Sequence, residues 1–299
     1  MPSSNSLEDK LLEWTKPSSD TEQKKQDRTK RMIREAIRNH PGFEECKLHL
    51  FVKGSYANNT NVRTDSDVDI AVECQEAICI EGAAPGLCPP ITSYTGQWTP
   101  EKLRSELVAA LEIKFPGEVD TSGSTAIQID ASSARVNADV VPCFPYQFYH
   151  SSHLPPREGT KIFTTSGQTI TNYPAQQLKN GKDKNKRTDY AYKKVVRILK
   201  RVENALAANG LCHALPSYFI ECLVYNCPDT FFTRMPTWKR RTMCVLWCLL
   251  YNLEGDEPVD HNDRWLEVDG YSYLFTSKQK WKRHDGQKFA HAAWEYLFH

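Results

Sequence analysis

Residues 51–72 read FVKGSYANNTNVRTDSDVDIAV, and the second half of that stretch decides the fold. DVDIAVE, residues 67–73, has the alternation of a strand with one buried side. Val68 and Ile70 point one way, Asp67 and Asp69 the other. Two carboxylates about 7 Å apart on one strand face repel unless a hard divalent cation lies between them. Mg²⁺ suits the pair, because it takes oxygen ligands, keeps waters and completes its octahedron with substrate phosphates. Upstream, LHLFV (48–52) reads as a short strand, followed by Gly54 and Ser55 and then a helix from Tyr56. Glycine lets backbone approach a phosphate, and the following amides with the Ser55 hydroxyl can hold its oxygens. The order strand, Gly-Ser, helix, strand, Asp-x-Asp is the apparatus of phosphoryl or nucleotidyl transfer.

Outward from this stretch, the N-terminal part reads as alternating helices and strands. Ser6 caps a helix from Leu7 to Trp14. A longer helix follows Ser19 and Asp20 and stops before HPG at 40–42, with Met32, Ile33, Ala36 and Ile37 on one face. Thr99 with Pro100 opens a helix carrying Leu103, Leu107 and Leu111. TAIQID and ARVNADVV read as two strands joined by a polar turn, and the Gly- and Pro-rich residues 75–98 as an insertion loop. Residues 150–187 read as irregular, ending in the basic run KNGKDKNKR. Lys179, Lys182, Lys184, Lys186 and Arg187 there are interleaved with Asn, Gly and Asp, as in a solvated loop. Thr188 caps a long helix closed by Asn209 and Gly210, and helical patterns fill the remainder, with Trp247, Trp281 and Trp294 expected in the core. The expected organisation is a lobe over 1–180 and a helical lobe over 181–299, with a cleft between them.

Composition excludes several classes. The net charge of +1 gives no global reason for a long nucleic-acid partner. No apolar run reaches the roughly 20 residues that cross a bilayer, and the N-terminus has no signal-peptide pattern. The ten cysteines include no C-x-x-C pair, so buried thiols in a reducing cytoplasm are expected rather than disulfides or a zinc site.

GSYANNTNVRTDSDVDIAV resembles the signature of the DNA polymerase β-like nucleotidyltransferases. That resemblance implies an α+β fold: a mixed sheet with flanking helices, plus a C-terminal helical lobe. It also requires a third carboxylate on a later strand. RVNADVVPCF supplies Asp139, with Asp130 in IQID as the competing candidate. YKKVVRILK followed by LPSYFIECLVYN narrows the likeness to the CD-NTase family, bacterial relatives of animal cyclic GMP–AMP synthase and oligoadenylate synthase. The likeness covers about residues 50 to 230 and departs at ANNT (57–60), where many relatives carry Arg or Gly.

Membership would imply condensation of ribonucleoside triphosphates into a cyclic di- or trinucleotide second messenger, within CBASS anti-phage signalling. It would also imply a two-ion mechanism with Mg²⁺ (or Mn²⁺) held by Asp67, Asp69 and Asp139. Asp139 would accept the proton of the attacking hydroxyl. Gly54 and Ser55 would hold phosphate, Lys200 would reach the triphosphate, and Ser217 and Tyr218 would touch phosphate and stack on the base. A monomer is expected, and an activating protein or ligand stays open as a partner. The alternative class is a transferase that adds a nucleotide to RNA, a small molecule or a protein.

Overall fold

The computed structural model describes residues 6–62, 67–89 and 95–299; Arg63–Ser66 of the signature and 90–94 of the expected insertion loop lie outside them. The elements follow in the order α1 (Leu7–Trp14), α2 (Asp20–Arg38), β1 (Leu48–Val52), α3 (Gly54–Ala57), β2 (Val68–Cys74) and β3 (Cys79–Gly82). Then come α4 (Pro100–Lys114), β4 (Val119–Asp120), β5 (Ile127–Ile129), β6 (Ala138–Tyr149), β7 (Arg157–Phe163) and β8 (Thr169–Asn172). The helices α5 (Pro174–Arg187), α6 (Tyr192–Ala208), α7 (Ser217–Tyr225), α8 (Thr230–Thr233), α9 (Trp238–Asn252) and α10 (Arg283–Phe298) complete the chain. Among the described residues no helix is long and apolar enough to cross a membrane, and all ten cysteines are free thiols.

Two compact units emerge. One comprises Ser19–Tyr56 and Arg63–Ala175, the other Met1–Ser18, Ala57–Val62 and Gln176–His299. The helical unit therefore takes in α1 and a six-residue stretch from the middle of the signature, besides the C-terminal half.

In the sheet unit the path runs β1-β2-β6-β5-β4, with β3 and β7 on the far half of β6 and β8 beside β7. β2 and β6 are parallel, while β1 and β5 lie antiparallel to them. Alternation on β2 buries Val68, Ile70, Val72 and Cys74 against Ile33 and Ile37 of α2 and Leu103, Leu107 and Leu111 of α4. Ser19 and Thr99 cap those helices through their side chains, as their sequences predict. The opposite sheet face carries a smaller cluster of Ala71, Val141, Cys143 and Ile162, and beside it the aspartates.

The irregular reading of 150–187 is corrected. β7 and β8 form an antiparallel ribbon on β6, and α5 follows. REGTKIF hides its pattern because only Thr160 and Ile162 are buried. The basic run is helical, not a solvated loop. Lys184 is buried, donates to Asp229 Oδ1 (2.6 Å) and the Cys227 carbonyl (2.8 Å), and lies over the rings of Tyr192, Tyr225 and Phe232. Part of the expected insertion loop is likewise a strand: β3 pairs in parallel with residues 146–149 of β6.

The helical unit is organised on α6, whose Tyr192, Val195, Ile198, Leu199, Val202 and Leu206 are all fully buried. This helix starts later than expected. Asp189 and Tyr190 have φ of +49° and +60°, and Thr188 Oγ1 accepts from the Tyr192 amide at 3.2 Å. Trp281 is in the core, but Trp247 is 54% exposed and stacks on exposed Tyr251.

Candidate active site

The site follows from strand register. In the parallel ladder Asp69 stands directly opposite Asp139, and across the antiparallel ladder Gln128 stands opposite Asp139. One row thus runs Asp69, Asp139, Gln128 over three neighbouring strands on the face turned away from α2 and α4. Asp67 is exposed, two residues before Asp69 and just ahead of the first residue of β2. Alternation from the apolar positions Val68, Ile70, Ala138 and Val140 sets this arrangement, so the core fixes where the carboxylates project.

Gly54 borders that row. The Lys53 amide donates to the Asp69 carbonyl at 3.0 Å, and the chain then turns through Gly54 at φ +71° into the single turn of α3. A Cβ on Gly54 would overlap the Asp69 carboxylate. Two independent demands, a left-handed backbone and close approach to a carboxylate, therefore select glycine. Ser55 is the next residue of α3.

Asp139, not Asp130, takes the place beside Asp69. Asp130 follows β5, one strand farther out, with its amide bonded to the Glu118 carbonyl. The Asp139 carboxylate leans toward β5, where Oδ1 accepts from Gln128 Nε2 at 3.2 Å. Among the described residues no three His, Cys, Asp or Glu side chains converge on a common point. The chemistry of the donors nevertheless fits a hard cation. Asp69 and Asp139 offer only carboxylate oxygens on one sheet face, Asp67 adds another just ahead of β2, and no sulfur or imidazole stands in the row.

Three other predicted residues lie in the helical unit. Lys200 is 2% exposed, and its ammonium donates to Glu221 Oε2 and Thr60 Oγ1, each at 3.2 Å. Burial pushes its pKa down, against the opposing pull of Glu221. Ser217 is exposed at the first residue of α7. Tyr218 is half-buried, with its ring edge-on to Trp281 at 6.3 Å and its hydroxyl hydrogen-bonded toward Glu267. Burial raises the phenol well above its ordinary range.

Sequence reasoning passed over Gln128, Asn58 and Thr60. Gln128 could be found only by asking which side chain sits opposite Asp139. Asn58 and Thr60 belong to the ANNT stretch where the resemblance lapses, and nothing in its polarity announces burial.

Known proteins resemble the chain along nearly its whole length. The model of the cGAS/DncV-like nucleotidyltransferase C-terminal helical domain matches residues 179–298. The chain is 38% identical to the cyclic dipyrimidine nucleotide synthase CdnE of Legionella pneumophila, over 97% of each chain. It is 31% identical to a cyclic dipurine nucleotide synthase of Elizabethkingia meningoseptica, over 98% of this chain and 99% of that one. A solved structure of the Elizabethkingia meningoseptica CdnE cyclic dinucleotide synthase, with GTP and Apcpp, superposes with a TM-score of 0.81 at 29% identity. It covers 98% of this chain and 99% of that one.

Proposed function

This chain belongs to the CD-NTase family of nucleotidyltransferases, and from that premise we propose that it condenses ribonucleoside triphosphates into a cyclic oligonucleotide and releases pyrophosphate. One observation carries the proposal: Asp69 faces Asp139 across a parallel ladder, with the bare Gly54 backbone against Asp69. Carboxylates brought level on adjacent strands beside a glycine turn are the oxygen donors that a phosphate-bound hard cation takes.

In each round a ribose hydroxyl attacks the α-phosphorus of a triphosphate, and the bond to the pyrophosphate breaks. Gly54 lets the turn pass close against the Asp69 carboxylate, and the amides from Ser55 onward hold phosphate oxygens. Asp139 accepts the proton of the attacking hydroxyl, and Gln128 holds that carboxylate through its amide. Asp67, Asp69 and Asp139 would hold divalent cations. Bound there, such ions would neutralise charge on the departing pyrophosphate and acidify the attacking hydroxyl. The product then serves as a second messenger in bacterial anti-phage signalling of the CBASS kind.

Relatives that span nearly the whole chain make dipyrimidine or dipurine rings by name, so the same scaffold serves both base classes. The test therefore supplies all four ribonucleoside triphosphates with Mg²⁺ or Mn²⁺, digests with phosphatase and weighs what survives. A phosphatase-resistant cyclic product with stoichiometric pyrophosphate is the expected result. Linear products alone, or transfer to an added RNA in preference to ring closure, would overturn it.

A further inference from the structure

The chain makes a short excursion between the Gly54–Ser55 turn and Asp67. Residues up to Tyr56 and from Arg63 belong to the sheet unit, while Ala57–Val62 pack into the helical one. A stretch reading ANNTNV should be a solvated loop, yet Asn58, Thr60 and Asn61 are 1%, 0% and 3% exposed. Burial of that much polarity demands partners.

The partners come from α6 and α7. Asn58 Nδ2 donates to Glu221 Oε1 at 2.9 Å, and Thr60 Oγ1 donates to Glu221 Oε2 at 2.7 Å. Lys200 Nζ donates to Glu221 Oε2 and to Thr60 Oγ1, each at 3.2 Å, so the Thr60 hydroxyl uses both its proton and a lone pair. Arg197 grips the backbone: Nη1 donates to the Asn59 carbonyl and Nε to the Thr15 carbonyl, each at 2.6 Å. Asn59 is held at φ +53°, a conformation rare outside glycine, and Asn61 Nδ2 donates to Ser18 Oγ at 2.9 Å. A buried ion pair can often be replaced by apolar side chains without loss of stability. This one therefore calls for a role beyond stability, and its hydrogen bonds all run to the segment that joins the phosphate turn to Asp67.

We infer that Glu221, Lys200 and Arg197 are positioning residues, which anchor Asn58–Thr60 and so order the Gly54–Ser55 turn for a triphosphate. Lys200 acts through Thr60 and Glu221 and does not touch phosphate. What the turn receives rests on the function proposed above; the anchor itself does not.

Thr60→Val tests it, because the substitution keeps the shape, deletes the hydroxyl that joins loop to ion pair, and leaves Lys200 and Glu221 together. Inorganic tripolyphosphate with Mg²⁺ serves as a probe that is independent of base choice. Thr60→Val should weaken tripolyphosphate binding and raise KM for the nucleotides by about tenfold, with kcat changed far less. Amide exchange over residues 54–62 should quicken while α6 and α7 stay protected, and Thr60→Ser should restore all three readouts. A variant that melts earlier yet keeps wild-type tripolyphosphate affinity and KM would reduce the network to a structural brace and overturn the inference. Unchanged exchange over 54–62 would overturn it too, whatever the activity. A wild type that forms no cyclic product while its Thr60→Val variant shows the quickened exchange and weakened tripolyphosphate binding would instead sink the proposed reaction and leave the anchor standing.

Discussion

Two acidic sites in this molecule are built on opposite principles. On the sheet, Asp69 sits in register with Asp139, like charge beside like charge, with exposed Asp67 just ahead of the strand. In the helical unit, Glu221 is 1% exposed, with both oxygens engaged by an ammonium, an amide and a hydroxyl. A carboxylate that is buried and fully bonded maintains geometry. Carboxylates set level on neighbouring strands of a less enclosed face are placed where a hard cation could reach their oxygens. On the function and anchor proposed above, the first set does the chemistry and the second holds it in place, and substitutions should split along that line.

The largest effect is expected at the sheet. Asp69→Asn should cut the rate of cyclic product formation by about a thousandfold, measured by pyrophosphate release under saturating nucleotides. The melting temperature should change little, since the substitution is isosteric and Asp69 lies outside the fully buried core. A variant that stays active, or one that unfolds, would break the distinction at its strongest point.

At Glu221 the ordering reverses. Lys200→Met leaves a buried carboxylate without its cation and should cost about 3–5 kcal/mol in denaturant unfolding. Adding Glu221→Gln removes the stranded charge, so the double variant should be more stable than Lys200→Met alone, a non-additivity that an independent pair would not show. If the two losses simply add, the buried network is not acting as a unit.

These two sites were not equally legible. The sheet site could be read because its signals are local: alternation fixes the faces of β2, Ser19 and Thr99 mark helix starts, and Gly54 announces a turn that admits no side chain. Asp139 needed only a second Val-rich strand and the family likeness. The helical site offered no such handle. Lys200 lies on a run with Lys193, Lys194, Arg197 and Arg201, and nothing nearby tells that it meets Glu221 and Thr60, which are distant in sequence. The same blindness made a loop of α5. Lys184 within KNGKDKNKR looks solvated until Asp229 and three aromatic rings close around it. Gly181, a poor helix residue by about 1 kcal/mol against Ala, sits where a Cβ would come within 3.2 Å of Asn58 Oδ1. Tertiary partners decided these cases, and single-strand periodicity carries no record of them.

A third carboxylate pair falls between the two extremes and supplies the smallest test. Glu267 and Asp269 are 9% and 5% exposed. Asp269 is well served, accepting from the amides of Tyr271 and Ser272 at 2.7 and 2.9 Å and from the Ser272 hydroxyl at 2.9 Å. Glu267 has only the Gln279 amide and the Tyr218 hydroxyl. Burial, with the charge of Asp269 adding to it, pushes Glu267 from its ordinary 4.5 up to about 7. Between those values the folded chain keeps a proton that the unfolded chain has released. Stability should therefore be fullest below about pH 4.5 as far as this group is concerned and decline as pH rises toward 7, by about 3 kcal/mol. Glu267→Gln should flatten that slope in urea unfolding measured at pH 5, 6 and 7, leaving the variant the more stable protein at pH 7. Parallel curves for the two proteins would mean that Glu267 is as well satisfied as Glu221, and the intermediate case would vanish.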